Sequence, residues 1–569
     1  MTTSLRLLAL GLLALGCTPA LAQGPHKAPM TEGTLKATVA LDSKLFAQQM
    51  KQIEERRAGW LAKAEAAKPK LIHTAKQPVA LIKVEKDAAG FQGWKTVNVG
   101  KPESICNKKL KPGDSFILDF GEHMTGQFVF SLRAFDIPVD APVRLGLIFG
   151  EVPAEVIEPF DPHVSGLARS WMQDEVFNFD DVPQTVTLPR RYAFRYVMVT
   201  VIACSTHGKF GFSDLHAEAV TSADESKLLP FTPRNADEAA LDRVARNTLR
   251  DCMQTVFEDG PKRDRRLWLG DLRLQALANY ATYRNYDLVK RSLYILAGTA
   301  SPEGLVGTCS FERPQPTRGG NSILDYTALF APTVLEYLEA SGDRATAEDL
   351  WPLVLKQLDF TLEPVNTEGL MITPKSWWCF IDWHRTLDKQ APEHAIVLFG
   401  LKATFKLAEK LGKEKEVAFV PAAVAKMEEA ARKNLWDETA GLFISGPKRE
   451  ISWASQAWMV LAGVPSGEQA KRAMTGVMHH AGAEQPVTPY MHHYVIEALL
   501  AAGLRDEGWQ YMQVYWGEMV RKGADTFWEV YVPGDDFLSP YKSHLMNSYC
   551  HAWSCTPTYL LRRAPTPAK

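Results

Sequence analysis

The feature that most constrains this chain is a change of hydrophobic pattern at "LLPFTPRN", Leu228–Asn235. Between about Pro78 and Ala223, short alternating apolar runs are broken by Gly, Pro and Asp. "SFILDF", "GQFVFSLRAF", "PVRLGLIF", "QTVTLP" and "FRYVMVTVIA" read as strands, because every second residue of a half-buried strand faces the core. Several such strands with turn residues between them predict an antiparallel β-sandwich. After the switch the period becomes helical. About twelve helical stretches start near Asp237, Asp271, Asp287, Ser322, Arg344, Pro392, Glu414, Glu450, Glu468, Thr488, Arg505 and Tyr541. Many are introduced by Asp, Ser, Thr, Pro or Gly, the usual punctuation of helix ends. Twelve helices in six pairs is the count of an (α/α)6 toroid. No sequence signature repeats at a fixed period, which argues against a solenoid.

The expected domains are therefore a β-sandwich over residues 78–228 and an all-helical toroid over 229–569. Ahead of them, 23–77 forms an extension whose stretch Leu41 to Ala67 reads as a polar amphipathic helix. The first 22 residues read as a secretory leader. Arg6 precedes the apolar "LLALGLLALG", and "ALA" at Ala20–Ala22 supplies a small-residue cleavage pattern, which places the mature start near Gln23 and the protein in the periplasm or outside the cell. A lipid anchor at Cys17 is disfavoured by Ala14, which stands where a larger aliphatic residue belongs. No later apolar run is long enough to cross a membrane.

A chain of 569 residues predicts roughly two to four domains. Its net charge of −2 gives no basic face for nucleic acid. Beyond the leader, Cys106, Cys204, Cys252, Cys309, Cys379, Cys550 and Cys555 are scattered, odd in number and without CxxC spacing. They predict buried thiols rather than a zinc site or a disulfide framework, and no metal or other cofactor is expected. Cys550 and Cys555 fall in an expected helix, on poorly matched faces. The 15 tryptophans suit a protein that stacks flat rings on sugars, with core packing the alternative for most of them.

Three connections of the helical half are unusually aromatic and charged: "EDGPKRDRRLWLG", "NTEGLMITPKSWWCFIDWHRTLDKQ" and "KGADTFWEVYVPGDDFLSP". Alternate connections of a toroid emerge at one end, so all three can face a single cleft. Acid-assisted cleavage of a glycoside with inversion needs two carboxyls from different parts of the chain, one protonated and one ionised. The candidates are Asp259, Asp264 and Asp271 on the first loop, Asp382 on the second, and Asp525, Glu529 and Asp535 on the third. Helix capping or ion pairing would explain each of them alone. A carboxyl that keeps its proton needs burial or acidic neighbours. Arg263, Arg265 and Arg266 pull the other way unless they point out of the cleft.

"GPKRDRRLWLGD", followed much later by "FWE" and then "CHAW", resembles the α-L-rhamnosidases of glycoside hydrolase family 78. Those enzymes carry a Cys/Gly-Pro-x-Arg-Asp/Glu-x-x-x-Trp-x-Gly-Asp block, a late Trp-Glu, and a His about twenty residues beyond it. "FILDFGEHMTGQFVFSL" and "RYAFRYVMVTV" look like the β-sandwich that precedes the family's toroid, and the resemblance covers about residues 100 to 560. It implies an exo-acting, inverting enzyme that releases terminal α-L-rhamnose, with Asp264 as general acid and Glu529 as general base. It further implies that Asp271 and either Glu258 or Asp259 hold the sugar hydroxyls. His551 matches the late active-site histidine, and Asp382-Trp383 a block whose ring walls the sugar pocket. Arg263, Trp268 and Trp528 fall inside the matching motifs as further substrate-binding positions. The carboxyl separation it implies is about 6.5–9.5 Å, room for one water.

Two departures qualify the match. Where many relatives place a tryptophan two residues before a helix-start aspartate, this chain has Ile323 before Asp325, so a stacking wall has to come from elsewhere, for instance Trp377 or Trp378. The chain also stops at Lys569, shortly after the last expected helix, which reads as a compact form without a further β-domain. Two other readings stay open on the sequence. One is a glycosidase of the same fold acting on another terminal deoxy- or acidic sugar. The other is a non-catalytic carbohydrate-binding protein, against which the retention of both Asp264 and Glu529 speaks. The aglycone and the oligomeric state are not encoded in any motif.

Overall fold

The computed structural model describes residues 33–563, apart from 40, 42, 43, 107, 136, 138, 321, 375 and 376. The expected leader and Cys17 lie outside the described residues. Among those described, no helix is long and apolar enough to cross a membrane.

Helix α1 (Leu45–Ala66) precedes the β-domain in sequence but packs on the helical half, against α5 (Tyr286–Gly298) and α7 (Arg344–Thr361). Trp60 anchors it. The indole is fully buried, and its Nε1 donates to Asp349 Oδ2 at 3.1 Å. Arg57 adds two bonds to the carbonyls of Ala300 and Ser301, at 2.7 and 2.8 Å.

Nine antiparallel strands form the β-domain: β1 (Ile72–Lys76), β2 (Ala80–Lys86), β3 (Trp94–Gly100), β4 (Ser115–Phe135), β5 (Val143–Gly150), β6 (Asp174–Phe179), β7 (Gln184–Thr187), β8 (Tyr192–Ala203) and β9 (Lys209–Thr221). A four-residue helix, α2 (Glu103–Cys106), lies between β3 and β4. The sheet begins at Ile72 rather than Pro78, because Ile72–Lys76 pairs with β9. Its central element is β4, whose first part pairs with β2 and whose second part pairs with β7 and β9. The register against β8 breaks between Asp119 and Met124, where Gly121 adopts φ +81°. This bend folds one strand through both layers of the sandwich. Phe120, Phe128, Phe130, Phe149, Phe194 and Phe212 fill the space between.

Among the described residues, twelve helices follow. Beyond α5 and α7 they are α3 (Ala236–Cys252), α4 (Leu269–Ala281), α6 (Leu324–Ser341), α8 (Gln390–Leu411), α9 (Val420–Asn434), α10 (Trp453–Leu461), α11 (Gly467–His479), α12 (Pro489–Ala501), α13 (Arg505–Arg521) and α14 (Pro557–Arg563). Their starts follow local chemistry: Asn235, Asn285, Asp343, Ser452 and Thr488 each accept a first-turn N–H, which satisfies one orphan donor. The even-numbered helices pack in sequence, α4 on α6, α6 on α8, α8 on α10 and α10 on α12. The turn Ala552–Ser554 and α14 then return to α4. The helices thus close on themselves as the expected toroid.

One expectation fails here. No helix starts at Tyr541; residues 541–556 run as loop with two short 3-10 turns, His544–Met546 and Ala552–Ser554, and α14 begins at Pro557. The backbone amides of this loop bond instead to groups of other segments. Tyr549 N–H donates to Glu151 Oε2, Ser548 N–H to Glu529 Oε2, and Ala552 N–H to Asp259 O. Cys550 and Cys555 are consequently not two turns of one helix.

Trp60→Ala should cost about 3–5 kcal/mol, the loss expected for truncating a buried aromatic. Urea denaturation would read this as a lower midpoint with an unchanged slope.

Candidate active site

The loop that opens with Glu258 is held by two adjacent cations. Lys262 is buried, and its ammonium donates to the carbonyls of Leu545 and Asn547 at 2.7 and 2.8 Å and to Glu155 of the β-domain. Arg263 donates to Met546 O at 2.7 Å and to Glu529 Oε2. With both side chains committed to one facing segment, the backbone reverses at once. Asp264 and Arg265 take φ values of +59° and +50°, and the Arg265 N–H bonds back to Arg263 O at 2.8 Å. Such a three-residue turn is strained for a non-glycine residue. The reversal sends Arg265 outward, to Pro261 O and to Arg191 O of the β-domain. Asp264 borders the cleft. The same device recurs on the second loop, where Ile381 has φ +55° and Asp382 N–H donates to Phe380 O.

The cleft offers about 240 Å³ and lies where the two domains meet. Asp259, Arg263, Asp264, Arg266, Trp268 and Asp271 line it from the first loop, Trp378, Phe380 and Trp383 from the second, and Glu529, Tyr541, His551 and Trp553 from the third. All three loops expected to converge do so. Glycines of the first loop permit this closeness. A Cβ on Gly270 would stand 2.4 Å from the Tyr326 ring, and one on Gly260 would stand 2.7 Å from Ser548 Oγ.

The carboxyls differ in charge state for identifiable reasons. Burial pushes Glu529 up, but Arg263 above all, with the Tyr541 hydroxyl and the Ser548 N–H, brings it below the ordinary carboxylate range. It is held ionised. Asp259 and Asp271 lie well above that range, chiefly through burial and then through neighbouring carboxylates: Asp264 and Asp271 act on Asp259, and Glu529 and Asp264 on Asp271. Burial thus favours the protonated form of each. The arginine nitrogens nearest Asp264 stand at 3.8 Å (Arg263) and 3.9 Å (Arg266), too long for hydrogen bonds. His551 is driven down to about 3 by burial and is neutral.

Several polar atoms of the cleft have no protein partner: Asp271 Oδ1, His551 Nδ1 and Trp268 Nε1. Asp271 Oδ1 and His551 Nδ1 are 3.8 Å apart. Buried groups in native proteins are rarely left unbonded. A cluster of donors and acceptors beside aromatic faces matches a polyhydroxylated ring with an apolar edge.

Three expected site residues lie elsewhere. Glu258 turns from the cleft to Arg191 of the β-domain, bonded at 2.7 and 2.8 Å, so Asp259 is the acid of that pair that borders the cleft. Asp382 is buried behind the wall and accepts from Trp383 N–H, Val487 N–H, Thr488 N–H and Thr488 Oγ1 at 2.6–3.0 Å. It fixes Trp383 rather than facing the cavity. Trp528 stacks on Phe91 of the β-domain, with centroids 4.1 Å apart, and supports Glu529 from behind. Asp525 accepts from His123 N–H at the domain junction, and Asp535 does not border this cleft. Of the two tryptophans expected as a replacement wall, Trp378 borders the cleft beside Ile323, to which it bridges in parallel, and is 39% exposed. Trp377 packs near Phe360 instead.

Tyr541, Trp553, Tyr326 and Phe380 were not singled out by the sequence, nor were Leu167 and Trp171 of the β-domain, which also line the cleft. Trp553 lies within "CHAW", and Tyr541 stands where the sequence predicts a helix start. Leu167 and Trp171 sit in a connection with no periodicity. Gly166 N–H and Ser165 Oγ of that connection donate to Tyr541 O at 3.2 and 3.0 Å. Among the described residues, His123, Asp251 and Cys550 bring donor atoms within 4.8 Å of one another, as a metal would require. They lie outside the cleft, and His123 Nδ1 is already bonded to Asp251 at 2.7 Å.

A sandwich docked on a closed ring of helix pairs, with buried carboxyls and aromatic rings sharing one cleft, is the arrangement matched by glycoside hydrolase domains. The chain belongs to the α-L-rhamnosidases of glycoside hydrolase family 78. Residues 78–219 match the family 78 α-rhamnosidase N-terminal domain, and residues 231–564 match the bacterial α-L-rhamnosidase six-hairpin glycosidase domain. Among solved structures, the chain is similar to a rhamnosidase from Klebsiella oxytoca with rhamnose bound. That match has 41% identity and a TM-score of 0.86 and covers 89% of this chain and 98% of that one. A family 78 rhamnosidase of a Bacillus species shares the fold at 24% identity and a TM-score of 0.70. It covers 82% of this chain, which spans 49% of the Bacillus one. A curated relative, the N,N'-diacetylchitobiose phosphorylase of Vibrio proteolyticus, is 24% identical over 177 residues, 26% of this chain and 22% of its own length.

Asp382→Asn replaces an acceptor of four bonds with a group that carries two N–H donors. The expected loss is about 1–3 kcal/mol, that of leaving buried donors unmet. Chemical denaturation followed by tryptophan fluorescence would measure it.

Proposed function

We propose that this enzyme removes terminal α-L-rhamnose from a glycoside or polysaccharide with inversion, Glu529 acting as general base and Asp264 as general acid. The observation that carries the reading is the state of Glu529. It is buried in the cleft and kept ionised by Arg263, Tyr541 and the Ser548 N–H, so it can take a proton from water. Arg263 also stands 3.8 Å from Asp264. The two carboxyls are thus separated by a guanidinium rather than in contact, which is consistent with the spacing inversion requires. Asp264 has no hydrogen-bond donor at contact distance and can meet a leaving oxygen. The rhamnose bound in the Klebsiella enzyme supports the sugar. Asp271 and His551 offer unmet polar atoms to its hydroxyls, and Trp378 and Trp383 offer faces to its methyl edge. Export of the chain, read from its leader-like start, is part of the same proposal.

A second assignment has its own observation: burial raises the pKa of Asp259 and of Asp271, the direction a general acid needs. Leaving-group dependence separates the two. Glu529→Gln should lower turnover about 10²–10⁴-fold on every substrate, the range for loss of general-base catalysis. Asp264→Asn should be as severe on alkyl rhamnosides and much milder on nitrophenyl rhamnoside, whose leaving group needs little protonation. An equal loss on both substrates would move the acid to Asp259 or Asp271. The inverted product, β-L-rhamnose, would be read by NMR before mutarotation.

Tyr541→Phe removes one of the groups that lower Glu529. The Glu529 pKa then rises, so the acid limb of kcat/KM should move to higher pH while the basic limb stays in place. A pH profile on nitrophenyl rhamnoside checks the sign.

A further inference from the structure

Directly behind the cleft, two thiols far apart in sequence meet. Cys252 ends α3, Cys550 precedes His551, and their sulfurs stand 3.8 Å apart. Both are fully buried, with Ala552 as their apolar neighbour. Each is tied to a wall of the cleft. Cys252 Sγ lies 4.0 Å from the carbonyl of Asp259, which in turn accepts the Ala552 N–H at 2.7 Å. Cys550 is bonded through the chain to His551, which lines the cleft.

We infer that Cys252 and Cys550 form a redox couple whose disulfide would staple α3 to the His551 segment and slow the enzyme. The surroundings suit the chemistry. The His123 ring sits in the same buried cluster, with Nδ1 2.7 Å from Asp251 and Nε2 3.2 Å from Glu151. Burial opposes its charge, but Cys550, Asp251 and Glu151 outweigh that and hold the imidazole well above its usual range. Burial likewise opposes a thiolate at Cys550, while the Cys252 thiol and the His123 cation bring it below the ordinary thiol range. A thiolate beside a hydrogen-bonded thiol is the reactive arrangement.

The oxidant must be small, because neither sulfur is exposed. Hydrogen peroxide, about the size of water, meets that need. The Cys550 thiolate attacks one peroxide oxygen; an S–O bond forms, the O–O bond breaks, and hydroxide leaves. The Cys252 sulfur then attacks the sulfenic acid. The S–S bond forms, the S–O bond breaks, and the Cys252 proton leaves with the hydroxyl as water. Two electrons pass from the thiols to the peroxide.

Closing the sulfurs to the bonding distance of about 2.05 Å requires a displacement that the backbone of 550–551 must partly absorb. Since a misplacement of about 1 Å can cost about 100-fold in rate, at least about a ten-fold loss of turnover is expected. The activity part of this inference rests on the rhamnosidase reading; the cross-link does not.

The test uses the full chain, reduced, desalted and treated with hydrogen peroxide. Non-reducing digestion and mass spectrometry should find one cross-linked peptide pair containing Cys252 and Cys550. Turnover of nitrophenyl rhamnoside should fall at least about ten-fold and return with dithiothreitol. Cys252→Ser should keep its untreated turnover, form no cross-link and resist inhibition. Cys252→Ala serves the same purpose should a buried hydroxyl destabilise α3. Oxidation of the partly exposed Cys106 and Cys204 without a 252–550 pair would overturn the inference. A complete cross-link with turnover unchanged would overturn its regulatory half. A chain inactive on rhamnosides before treatment would count against the activity reading alone, and the mass of the cross-linked pair would still decide the couple.

Discussion

The architecture of the cleft depends on burying two neighbouring positive charges, Lys262 and Arg263. An ammonium and a guanidinium taken from water without partners would cost many kcal/mol. Both are satisfied by one strand of chain, residues 545–547, and by one carboxylate from each domain, Glu155 and Glu529. This clamp determines three other features. It draws the late loop onto the early one, it forces the reversal at Asp264–Arg265, and it supplies the charge that keeps Glu529 ionised. The β-domain is therefore part of the site, since Glu155 completes the partnership that makes the clamp affordable.

A cleft that holds carboxyls in opposite charge states needs them in different surroundings, and the surroundings here differ by single groups. Glu529, Asp259 and Asp271 are all buried. Only Glu529 has a guanidinium on its oxygen, and it is the one that is ionised. Asp271 has no such cation on its oxygens, and burial first, then the charges of Glu529 and Asp264, raise its pKa. His551 completes the logic. Kept neutral by burial, it adds no second cation beside Arg263 and leaves a ring nitrogen free toward the cavity.

Much of this was legible in the sequence, and the failures have physical causes. Alternating apolar residues marked β4, β5, β7 and β8, and capping residues marked helix starts, because both signals are local. The acidic block around Trp268 could be recognised because several of its residues are fixed by contacts within one turn. Arg265 points outward as required, whereas Arg263 and Arg266 face the cleft. No sequence rule decides which way a guanidinium turns when the backbone reverses at a left-handed aspartate. Glu258 and Asp259 were left undecided because adjacent side chains differ only in which domain they meet. Asp382 and Trp528 carried the right motif but serve the site from behind it. A helix start is expected near Tyr541 because the residues that follow are compatible with one; the amides of this segment are taken by Glu529 and, hundreds of positions away in the chain, by Glu151 and Asp259. Leu167 and Trp171 had no signal at all, since a wall supplied by another domain leaves no period.

The closure of the helical ring through Ala552–Ser554 and α14 has a consequence for synthesis. A ribosome delivers the β-domain and the early acidic loop first, and domains begin to fold as they emerge. Asp259, Asp264 and Asp271 therefore stand beside an open ring until Glu529, Tyr541 and His551 have been made. The residues that dock on α3 and α4 and shut the circle, Ala552–Ser554 and α14, emerge after all the other helices of the ring. Assembly of the cleft is in this way deferred until the closing helix is made, so a chain cut before α14 would carry the early acidic loop beside a ring that is still open.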